Sequence, residues 1–506
     1  MSALPPPLSL LGVQRMGIDT YQEPVIYLRA DCPVCRAEGF EAYSRVRVQV
    51  GSRSVIATLN TVSAELLGAS VVGLSEAAWR ALVAAEGELA VLSHPEPLES
   101  FSEVRRKIYG HSLPAASFTA IVRDLCAGRY SGLEVAAFVT ACAGDALSLD
   151  ETIHLTRAMV DTGQTLRWSA PVVADKHCIG GLPGNRTTPI VVAIVAACGL
   201  TIPKTSSRAI TSPAGTADTM ETLAPVALDL VQMRRVVERE GGCIVWGGAM
   251  ALAPADDVLI RVERPLDLDS EGQLAASVIS KKVAAGASHV LLDLPVGATA
   301  KLRTAEDAQR LARRLRATGE AFGLQLQVLF TDGEQPVGRG IGPALEARDV
   351  LAVLHNQAEA PADLRERALQ LAAALLELAG RAPPGQGLAL ARSTLLSGLA
   401  WAKFAAICEA QGGLRTPPRA AHRREFTAPQ AGVVRGIDNR RLARLAKLAG
   451  APLSPAAGIE LRIRLGDHVA RAQPLFCLHA ESPGELDYAA SYARDLSTLI
   501  RLEHCP

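Results

Sequence analysis

From residue 171 onward, apolar runs of strand length alternate with helical segments, and this alternation is the strongest constraint on the fold. The runs VLLDL (290–294) and LQVLF (326–330) have the length and composition of buried strands. Residues 271–285 form a clear helix, with Ser270 and Gln273 in the pattern of a capping box. Strands that alternate with helices are typical of a parallel sheet with crossover helices. The sequence therefore predicts an α/β domain here.

The remaining segments are patterned differently. Alternating apolar and polar residues at 44–50 and 54–59 predict strands, whereas 116–126 and 133–142 carry apolar faces at helical spacing. The C-terminal residues are β-rich with one helix. A chain of 506 residues is long enough for several such units. The expected domains are a β-rich N-terminal module, a helical domain, an α/β phosphate-binding domain and a small α+β C-terminal domain, at 1–95, 96–170 (completed by about 255–285), 171–420 and 425–506.

Composition excludes several classes of protein. Lys plus Arg and Asp plus Glu both number 52, so the formal net charge is zero and a nucleic-acid partner is not expected. The most apolar long stretch, 189–203, is too short to cross a bilayer of roughly 30 Å, and residues 1–17 lack a signal-peptide pattern. The 10 cysteines are too scattered for a disulfide scaffold. We expect a cytoplasmic protein without a membrane partner.

Cys32 and Cys35 form a CxxC pair. A structural zinc site usually needs a second such pair, and none follows at a suitable spacing. Two reduced cysteines in a turn are favoured over zinc. A redox role is less favoured still, because no thioredoxin-like strand and helix pattern surrounds the pair. No metal site is predicted.

Residues 171–189 are the richest segment for chemistry. We expect a short strand that ends at Ala174, then a glycine-rich loop, then a helix that Thr188 caps and Pro189 begins. This order of elements presents backbone N–H groups to an anion, and Lys176 adds a positive charge. The loop matches neither the GK[ST] nor the GxGxxG nucleotide-binding pattern. The alternative interpretation is an ordinary tight turn.

Residues 203–221 form a second candidate for anion binding. This segment concentrates hydroxyl side chains, one Lys and one Arg, and then enters a helix near Ser212 or Thr216, with Pro213 early in it. Hydroxyl groups at a helix N-terminus suit an anion. An ordinary Ser/Thr capping loop would explain Ser212, but it would not explain the cluster from Ser206 to Thr211.

The helix after Asp269 supplies a third group of candidates. Ser277 and Lys281 share one face of that helix. A carboxyl group such as Asp269 could donate a proton to a leaving nitrogen, or it could simply belong to the helix cap, and the residues do not decide between these roles.

Together these segments resemble the thymidine and pyrimidine-nucleoside phosphorylase family, and most closely its branch of AMP phosphorylases and type 2 thymidine phosphorylases. The resemblance implies a nucleoside phosphorylase/phosphoribosyltransferase fold, in which a helical domain accompanies a larger α/β domain. The motifs that carry it occur in the family's order from about residue 105 onward, and they are RRKIYGHSL (105–113), DTG (161–163), DKHCIGG (175–181), SSRAITS (206–212), AGTAD (214–218), APAD (253–256), SKK (280–282) and QPVGR (335–339).

The resemblance also implies roles for individual residues. Asp269, His177 and Lys281 would be catalytic, and Arg264 competes with Arg261 for one contact to the base. The phosphate-binding positions would be Lys176, Cys178, Gly180, Ser206 and Thr216. The substrate-binding positions would be Gly181, Ser207, Arg208, Ala209, Ile210, Thr211, Ser212, Arg261, Ser277 and Lys301. Cys178 stands where the family usually has Ser, and a thiol is a poor hydrogen-bond donor to phosphate.

The expected reaction is phosphorolysis of an N-glycosidic bond in a nucleoside or nucleoside monophosphate, with inorganic phosphate as co-substrate and no cofactor. AMP is the first expected substrate, because Lys301 could bind a 5′-phosphate, and thymidine is the alternative. A magnesium-dependent phosphoribosyltransferase and a non-catalytic assembly protein are alternatives of other classes. The resemblance further implies a homodimer or a larger homo-oligomer.

Overall fold

The computed structural model describes residues 10–209, 212–250, 252–266, 268 and 270–503, so Ile210, Thr211 and Asp269 lie outside the described residues. The chain divides into two compact units. The first consists of Met1–Ala146 with Arg261–Leu268, and the second consists of Leu147–Ile260 with Asp269–Pro506. Within the described ranges, no helix has both the length and the apolar character needed to span a bilayer.

The N-terminal part of the first unit is a closed β-barrel, which corresponds to the predicted β-rich module. Its strands follow the order β1-β5-β2-β4-β3-β6 around the barrel. Inward residues such as Val46 and Val48 alternate with outward polar ones, as the sequence pattern predicts. Closure pairs every strand on both sides and so removes free sheet edges. The strands are β1 Leu11–Arg15, β2 Val25–Arg29, β3 Arg45–Val50, β4 Arg53–Val62, β5 Val71–Leu74 and β6 Leu89–Ser93.

The barrel also carries two short helices, α1 Pro33–Glu38 and α2 Glu76–Leu82. Cys32 is the N-cap of α1 and Cys35 lies within it, and both thiols are free and buried. Burial and the neighbouring Cys32 raise the pKa of Cys35 to about 11, which makes it a poor nucleophile.

Helices complete the first unit at α3 Phe101–Ile108, α4 Ala115–Cys126 and α5 Gly132–Ala141. Helix α5 begins with a reciprocal capping box between Ser131 and Glu134. Phe118 of α4 and Phe138 of α5 pack edge to face, with ring centroids 6.5 Å apart. Both predicted helices of this region are confirmed within a residue at each end.

Parallel strands form the centre of the second unit. One sheet has the order β11-β10-β7, and β8 pairs with β9. A parallel bridge between Val173 and Thr201 connects the two pairings at one edge of β7. The predicted buried strands 290–294 and 326–330 are confirmed within β10 and β11. The strands are β7 Ala174–Cys178, β8 Ile202–Ser206, β9 Gly242–Trp246, β10 His289–Val296, β11 Gln325–Asp332 and β12 Gly340–Ile341.

Helix α7 is buried on every side and lies in the largest apolar cluster of this unit. Helix α11 begins at the N-cap Ser270, whose hydroxyl accepts a hydrogen bond from the Gln273 amide, as predicted. The helices of this part are α6 Leu149–Asp161, α7 Thr187–Ala197, α8 Thr216–Glu221, α9 Leu230–Glu240, α10 Pro254–Leu266, α11 Glu271–Ala284, α12 Ala305–Glu320, α13 Pro343–Leu354, α14 Ala362–Leu378, α15 Gly387–Leu396 and α16 Leu399–Gln411, with a 3₁₀ turn at Gly247–Met250.

Two boundaries near the candidate site differ from prediction. Strand β7 begins at Ala174 instead of ending there, because its residues pair with β10 along five positions, and the following loop spans only 179–186. Helix α7 begins at Thr187 with Arg186 as its N-cap, so Thr188 is inside the helix and does not cap it.

The predicted helix after Ser212 is also different. Pro213 lies before it, Gly215 is its N-cap, and α8 has only 6 residues. So short a helix has a weak dipole, and any anion here would depend on hydroxyl and amide groups instead.

The C-terminal part contains two helices, so the expectation of one is wrong. Helices α17 Asn439–Leu448 and α18 Pro483–Tyr492 pack with small antiparallel sheets around their own apolar cluster. Strand β12 of the α/β part pairs with β15, which joins the two regions. The strands are β13 His422–Thr427, β14 Gly432–Ile437, β15 Gly458–Leu461, β16 His468–Val469, β17 Pro474–Ala480 and β18 Ile500–Glu503, with a 3₁₀ turn at Leu496–Thr498.

Candidate active site

Strand β7 directs its polar side chains to two opposite faces of the sheet, because successive strand residues alternate. Its register places Cys178 beside Asp293 of β10, so Lys176, Cys178 and Asp293 share one face. Asp175 and His177 point to the other. We call these the Lys176 face and the Asp175 face. The alternation follows from the strand that continues beyond Ala174.

Buried charge on the Lys176 face is compensated. The Lys176 ammonium donates to Thr187 Oγ1 at 2.8 Å and lies 3.7 Å from Asp293 Oδ2. Both charged side chains are 0% exposed. Thr331 donates to the other Asp293 oxygen at 2.6 Å, which fixes the carboxylate. Because a buried unpaired charge is costly, Lys176 and Asp293 each require the other.

Cys178 lies at the end of β7 and is held by the loop that follows. Asn185 Nδ2 donates to Cys178 Sγ at 3.4 Å. Burial, followed by the nearby Asp293 carboxylate, raises the pKa of the Cys178 thiol to about 12. Cys178 therefore stays protonated at neutral pH, and it can act only as a weak S–H donor.

Arg186 connects this loop with the segment before α8. Its Nε donates to Glu346 Oε2 at 2.7 Å, and another guanidinium nitrogen donates to Thr216 Oγ1 at 2.7 Å. A third contact reaches the Ala214 carbonyl at 2.9 Å. One side chain thus joins the two predicted anion-binding segments, with Lys176 on β7 before the first loop and Thr216 at the start of α8 after the second.

The segment before α8 folds around Asp218. One Asp218 oxygen accepts the backbone N–H groups of Ala209 and Gly215, at 2.7 and 2.8 Å. Gly215 has no room for a side chain, since a Cβ would meet Ser207 O at 2.5 Å. Arg208 donates to both Glu221 oxygens at 2.6 and 2.9 Å. The Arg208 guanidinium is therefore committed to an ion pair on its own segment.

Ser206 ends β8 beside this segment. Its hydroxyl is buried and has no hydrogen-bond partner among the residues that the structure describes. A buried hydroxyl without a partner is uncommon and is available to a bound ligand.

The Asp175 face holds an excess of positive charge. Lys282 of α11 donates to Asp175 Oδ2 at 2.7 Å, and Lys204 of β8 lies 3.3 Å from Oδ1. All three side chains are buried. Burial, followed by the charges of Lys282 and Lys204, holds the pKa of His177 well below its ordinary value. His177 is consequently neutral at physiological pH.

Helix α11 also presents Ser277 and Lys281 near this face. The Lys281 ammonium donates to Asp256 Oδ2 at 2.8 Å and to Ser277 Oγ at 3.0 Å. Lys281 is among the charges that lower the His177 pKa, so the two side chains lie close enough to interact electrostatically. Both side chains are only partly buried. The shared helix face that the sequence predicts is confirmed by this hydrogen bond.

Gly181 and Lys301 are in direct contact. A Cβ on Gly181, whose φ is +81°, would meet Lys301 Cβ at 2.4 Å. The turn that leads to Lys301 is fixed by Asn439 at the start of α17, which donates to Thr299 Oγ1 and to Gly333 O at 3.0 and 2.9 Å. The C-terminal domain therefore sets where Lys301 lies.

With this geometry in view, three family descriptions match the chain in order. They are "Glycosyl transferase family, helical bundle domain" at 103–163, "Glycosyl transferase family, a/b domain" at 170–401 and "Pyrimidine nucleoside phosphorylase C-terminal domain" at 433–499. A relative from Acidovorax sp. (strain JS42), named "Putative thymidine phosphorylase 2", is 64% identical over 484 residues, which are 96% of this chain and 94% of that protein. The chain belongs to the thymidine and pyrimidine-nucleoside phosphorylase family.

A second relative agrees with this family. The "Putative thymidine phosphorylase" of Polaromonas sp. (strain JS666 / ATCC BAA-500) is 62% identical and covers 99% of both chains. Among solved structures, the crystal structure of anthranilate phosphoribosyltransferase from Thermus thermophilus matches with a TM-score of 0.49 and 22% identity, covering 61% of this chain and 98% of that one. As a member of the phosphorylase family, the chain is a pentosyltransferase that acts on small molecules with phosphate.

The residues that the family resemblance singles out are distributed over these elements. Lys176, His177 and Cys178 lie on β7, and Ser206 and Thr216 flank the segment before α8. Arg261 lies on α10, at the residue where this helix passes from the second unit into the first. Ile210, Thr211 and Asp269 lie outside the described residues. The positions in the loop around Asp218 or the turn after β7 are Gly180, Gly181, Ser207, Arg208, Ala209 and Ser212.

Sequence reasoning missed several side chains that organise the candidate site. Asp293 carried a usable signal, because a carboxylate inside the apolar run 290–294 implies a buried partner. Lys282 follows Lys281 within the SKK motif, yet the resemblance singles out only Lys281. Arg186 and Glu346 gave no local signal, since they are 160 positions apart in sequence.

Proposed function

We propose that this enzyme cleaves the N-glycosidic bond of a nucleoside 5′-monophosphate by phosphorolysis, with AMP as the first substrate to test. The observation that carries the proposal is the close approach of Gly181 to Lys301, which brings the backbone and Cβ of a lysine beside the glycine-rich loop. A 5′-phosphate supplies the matching negative charge, which a nucleoside lacks. The fixed turn around Thr299 supports this assignment, because it limits how far Lys301 can move.

Inorganic phosphate would be held between the two loops that Arg186 joins. Lys176, the Ser206 hydroxyl, the Thr216 hydroxyl and the backbone at Gly180 are the proposed contacts. In the reaction, a phosphate oxygen forms a bond to the anomeric carbon while the bond from that carbon to the base nitrogen breaks. Fixed positioning of the nucleophile can lower such a barrier by roughly 7–11 kcal/mol.

The departing base takes the electron pair of the broken bond and needs a proton. His177 is neutral, because burial and the surrounding lysines hold its pKa well below the ordinary value, so we assign it a hydrogen bond to the base and not proton donation. Lys281, oriented by Asp256 and Ser277, can donate a proton or a hydrogen bond. Asp269 remains the second candidate for the proton donor.

A panel of AMP, adenosine and thymidine, each incubated with phosphate and assayed for free base, tests this function. We expect the fastest release from AMP. Lys301→Ala should lower kcat/KM for AMP by roughly tenfold or more, the size expected for a charge-assisted hydrogen bond, and should leave thymidine cleavage unchanged. Arg303→Ala, two residues further along the chain, is the matched control. Faster cleavage of thymidine, insensitive to Lys301→Ala, contradicts the proposal.

Thymidine is the second candidate substrate, because the relatives at 62–64% identity carry the name thymidine phosphorylase. The chemistry would be the same, with 2-deoxyribose 1-phosphate as the sugar product. We further propose that phosphate is the only co-substrate, that no cofactor is needed and that the enzyme is a homo-oligomer. Unchanged activity after chelation of divalent metals is expected, whereas a strict magnesium requirement would favour a phosphoribosyltransferase.

A further inference from the structure

Arg186 occupies an unusual place, between the two loops that would hold phosphate. It is the N-cap of α7 and contributes no side-chain cap of its own. Its guanidinium contacts Glu346 on α13, Thr216 at the start of α8 and the Ala214 carbonyl. Only a planar group with several N–H donors can satisfy partners from three segments at once, and an ammonium cannot reproduce that geometry.

Glu346 fixes the position of the guanidinium. Its side chain is only 2% exposed and lies 2.6 Å from the nearest Arg186 nitrogen. Thr219 and the Gly342 amide also donate to this carboxylate, at 3.2 Å each. The carboxylate is therefore held from three directions. Arg186 is restrained before any ligand arrives, which reduces the ordering that ligand binding would require.

The contact between Arg186 and Thr216 determines where the hydrogen of the Thr216 hydroxyl can point. A hydroxyl has one hydrogen and two acceptor lone pairs. Arg186 donates to Thr216 Oγ1, so the oxygen serves as the acceptor in this bond. Its own hydrogen is directed elsewhere, and no acceptor for it occurs among the residues that the structure describes. An oxyanion in the loop would supply that acceptor.

The charges of the pair support a role in positioning. Arg186 and Glu346 together are neutral when both are ionised, so the pair adds little net attraction for an anion. Its effect would come from directed hydrogen bonds, which act over short distances and depend on geometry.

We propose that Arg186, held by Glu346, is a positioning residue of the phosphate site that aligns the Thr216 hydroxyl as a donor to inorganic phosphate. This inference rests on the proposed function. It adds a residue that the family resemblance did not single out, and it predicts that Arg186 governs the affinity for phosphate but not the affinity for the nucleoside or nucleotide.

The test measures inorganic phosphate binding by calorimetry and steady-state KM values for phosphate and for the cleaved substrate. Arg186→Met should raise the Kd and KM for phosphate by roughly tenfold, with the other KM nearly unchanged. Arg186→Lys should not restore binding. Arg381→Met is the matched control, because Arg381 donates to the Cys198 carbonyl at the other end of α7. Glu346→Gln keeps Arg186 but weakens its anchor, and a smaller increase is expected.

A double-mutant cycle separates positioning from a general effect on folding. Thr216→Val removes the hydroxyl but keeps the shape of the side chain. If Arg186 acts through Thr216, then Arg186→Met in the Thr216→Val background should add little to the phosphate Kd. Additive effects, or an unchanged phosphate Kd in Arg186→Met, overturn the inference.

The outcomes for the inference and for the proposed function are distinguishable. If the enzyme releases base and Arg186→Met leaves the KM for phosphate unchanged, the inference is overturned and the proposed function stands. Phosphate binding that depends on Arg186, without release of base from any nucleoside or nucleotide, overturns the function and retains the anion site. Failure of the wild-type enzyme to bind inorganic phosphate overturns both.

Discussion

The two faces of β7 differ in how far their buried cations are balanced by carboxylates. On the Lys176 face the cation is balanced, since Lys176 pairs with Asp293. Arg186, one residue before the Lys176 partner Thr187, is balanced as well by Glu346. On the Asp175 face three lysines, Lys204, Lys281 and Lys282, share two carboxylate partners within the described part of the chain, Asp175 and Asp256. Because successive side chains of β7 alternate between its faces, this one strand separates a charge-balanced environment from an electropositive one.

This difference indicates how one strand can serve two ligands. The balanced face offers directed donors that are already fixed by their partners, which suits an oxyanion of defined shape. On the electropositive face, burial and then the charges of the lysines keep His177 neutral. The same charges would favour the negative charge that develops on a departing base. This division of labour is a hypothesis that variants of each face can test separately.

The largest expected effect is on the Lys176 face. Lys176→Met leaves Asp293 buried without its cation, which should lower the free energy of unfolding by roughly 3–5 kcal/mol and reduce phosphorolysis at least about a hundredfold. Adding Asp293→Asn removes the orphaned charge and keeps the acceptor for Thr331, so stability should return while activity does not. Thermal unfolding and phosphorolysis rates measure the two effects.

Lys282→Met is the matched control for this comparison. Asp175 keeps Lys204 after the change, so a balanced buried pair remains and the loss of stability should be much smaller. Equal destabilisation by Lys176→Met and Lys282→Met would contradict the contrast between the two faces.

The next effect concerns pH and the Asp175 face. The folded protein lowers the pKa of His177, so the unfolded chain binds the proton more tightly. Stability from neutral His177 is therefore fully present above its unfolded pKa, about 6.5, and is lost as the pH falls below that value. Wild-type KM for the cleaved substrate should accordingly show no His177 titration between about pH 6.5 and 8.

Removing one lysine should move this titration. The groups that face His177 come from its own strand and from β8, α10 and α11, and they are Asp175, Lys204, Asp256, Lys281 and Lys282, while the charge of Lys176 acts from the opposite face of β7. Lys282→Met should raise the His177 pKa towards its ordinary value, as followed by NMR of the imidazole, because one of the charges that lower it is removed. Lys282→Arg keeps the charge and should not. If His177 titrates identically in Lys282→Met and Lys282→Arg, the charge of Lys282 has no influence on the His177 pKa.

The sequence predicted the segments of the site better than their geometry. Glycines and hydroxyls identify residues 171–189 and 203–221, and the structure joins the two segments. The predicted end of β7 is wrong, because Asp175, Lys176 and His177 look like loop residues until their buried partners are known. Those partners lie on β8, β10 and α11, far along the chain. Local pattern can indicate that Asp293 needs a buried partner, but it cannot show which residue supplies it, so the two faces of β7 could not be predicted.

The smallest expected effect tests a single hydrogen bond on the Lys176 face. Burial raises the pKa of Cys178 to about 12, so the residue offers phosphate only a weak S–H donor. Cys178→Ser places a hydroxyl there, which can accept from Asn185 as the sulfur does and offers the ligand a stronger donor than the thiol, although Asp293 competes for that hydrogen. The KM for phosphate should therefore fall by about threefold. Cys198→Ser, in the core at the end of α7, should leave it unchanged. If the KM for phosphate rises in Cys178→Ser, the fixed donors on this face do not point at the anion. The two faces would then differ only in their balance of charge.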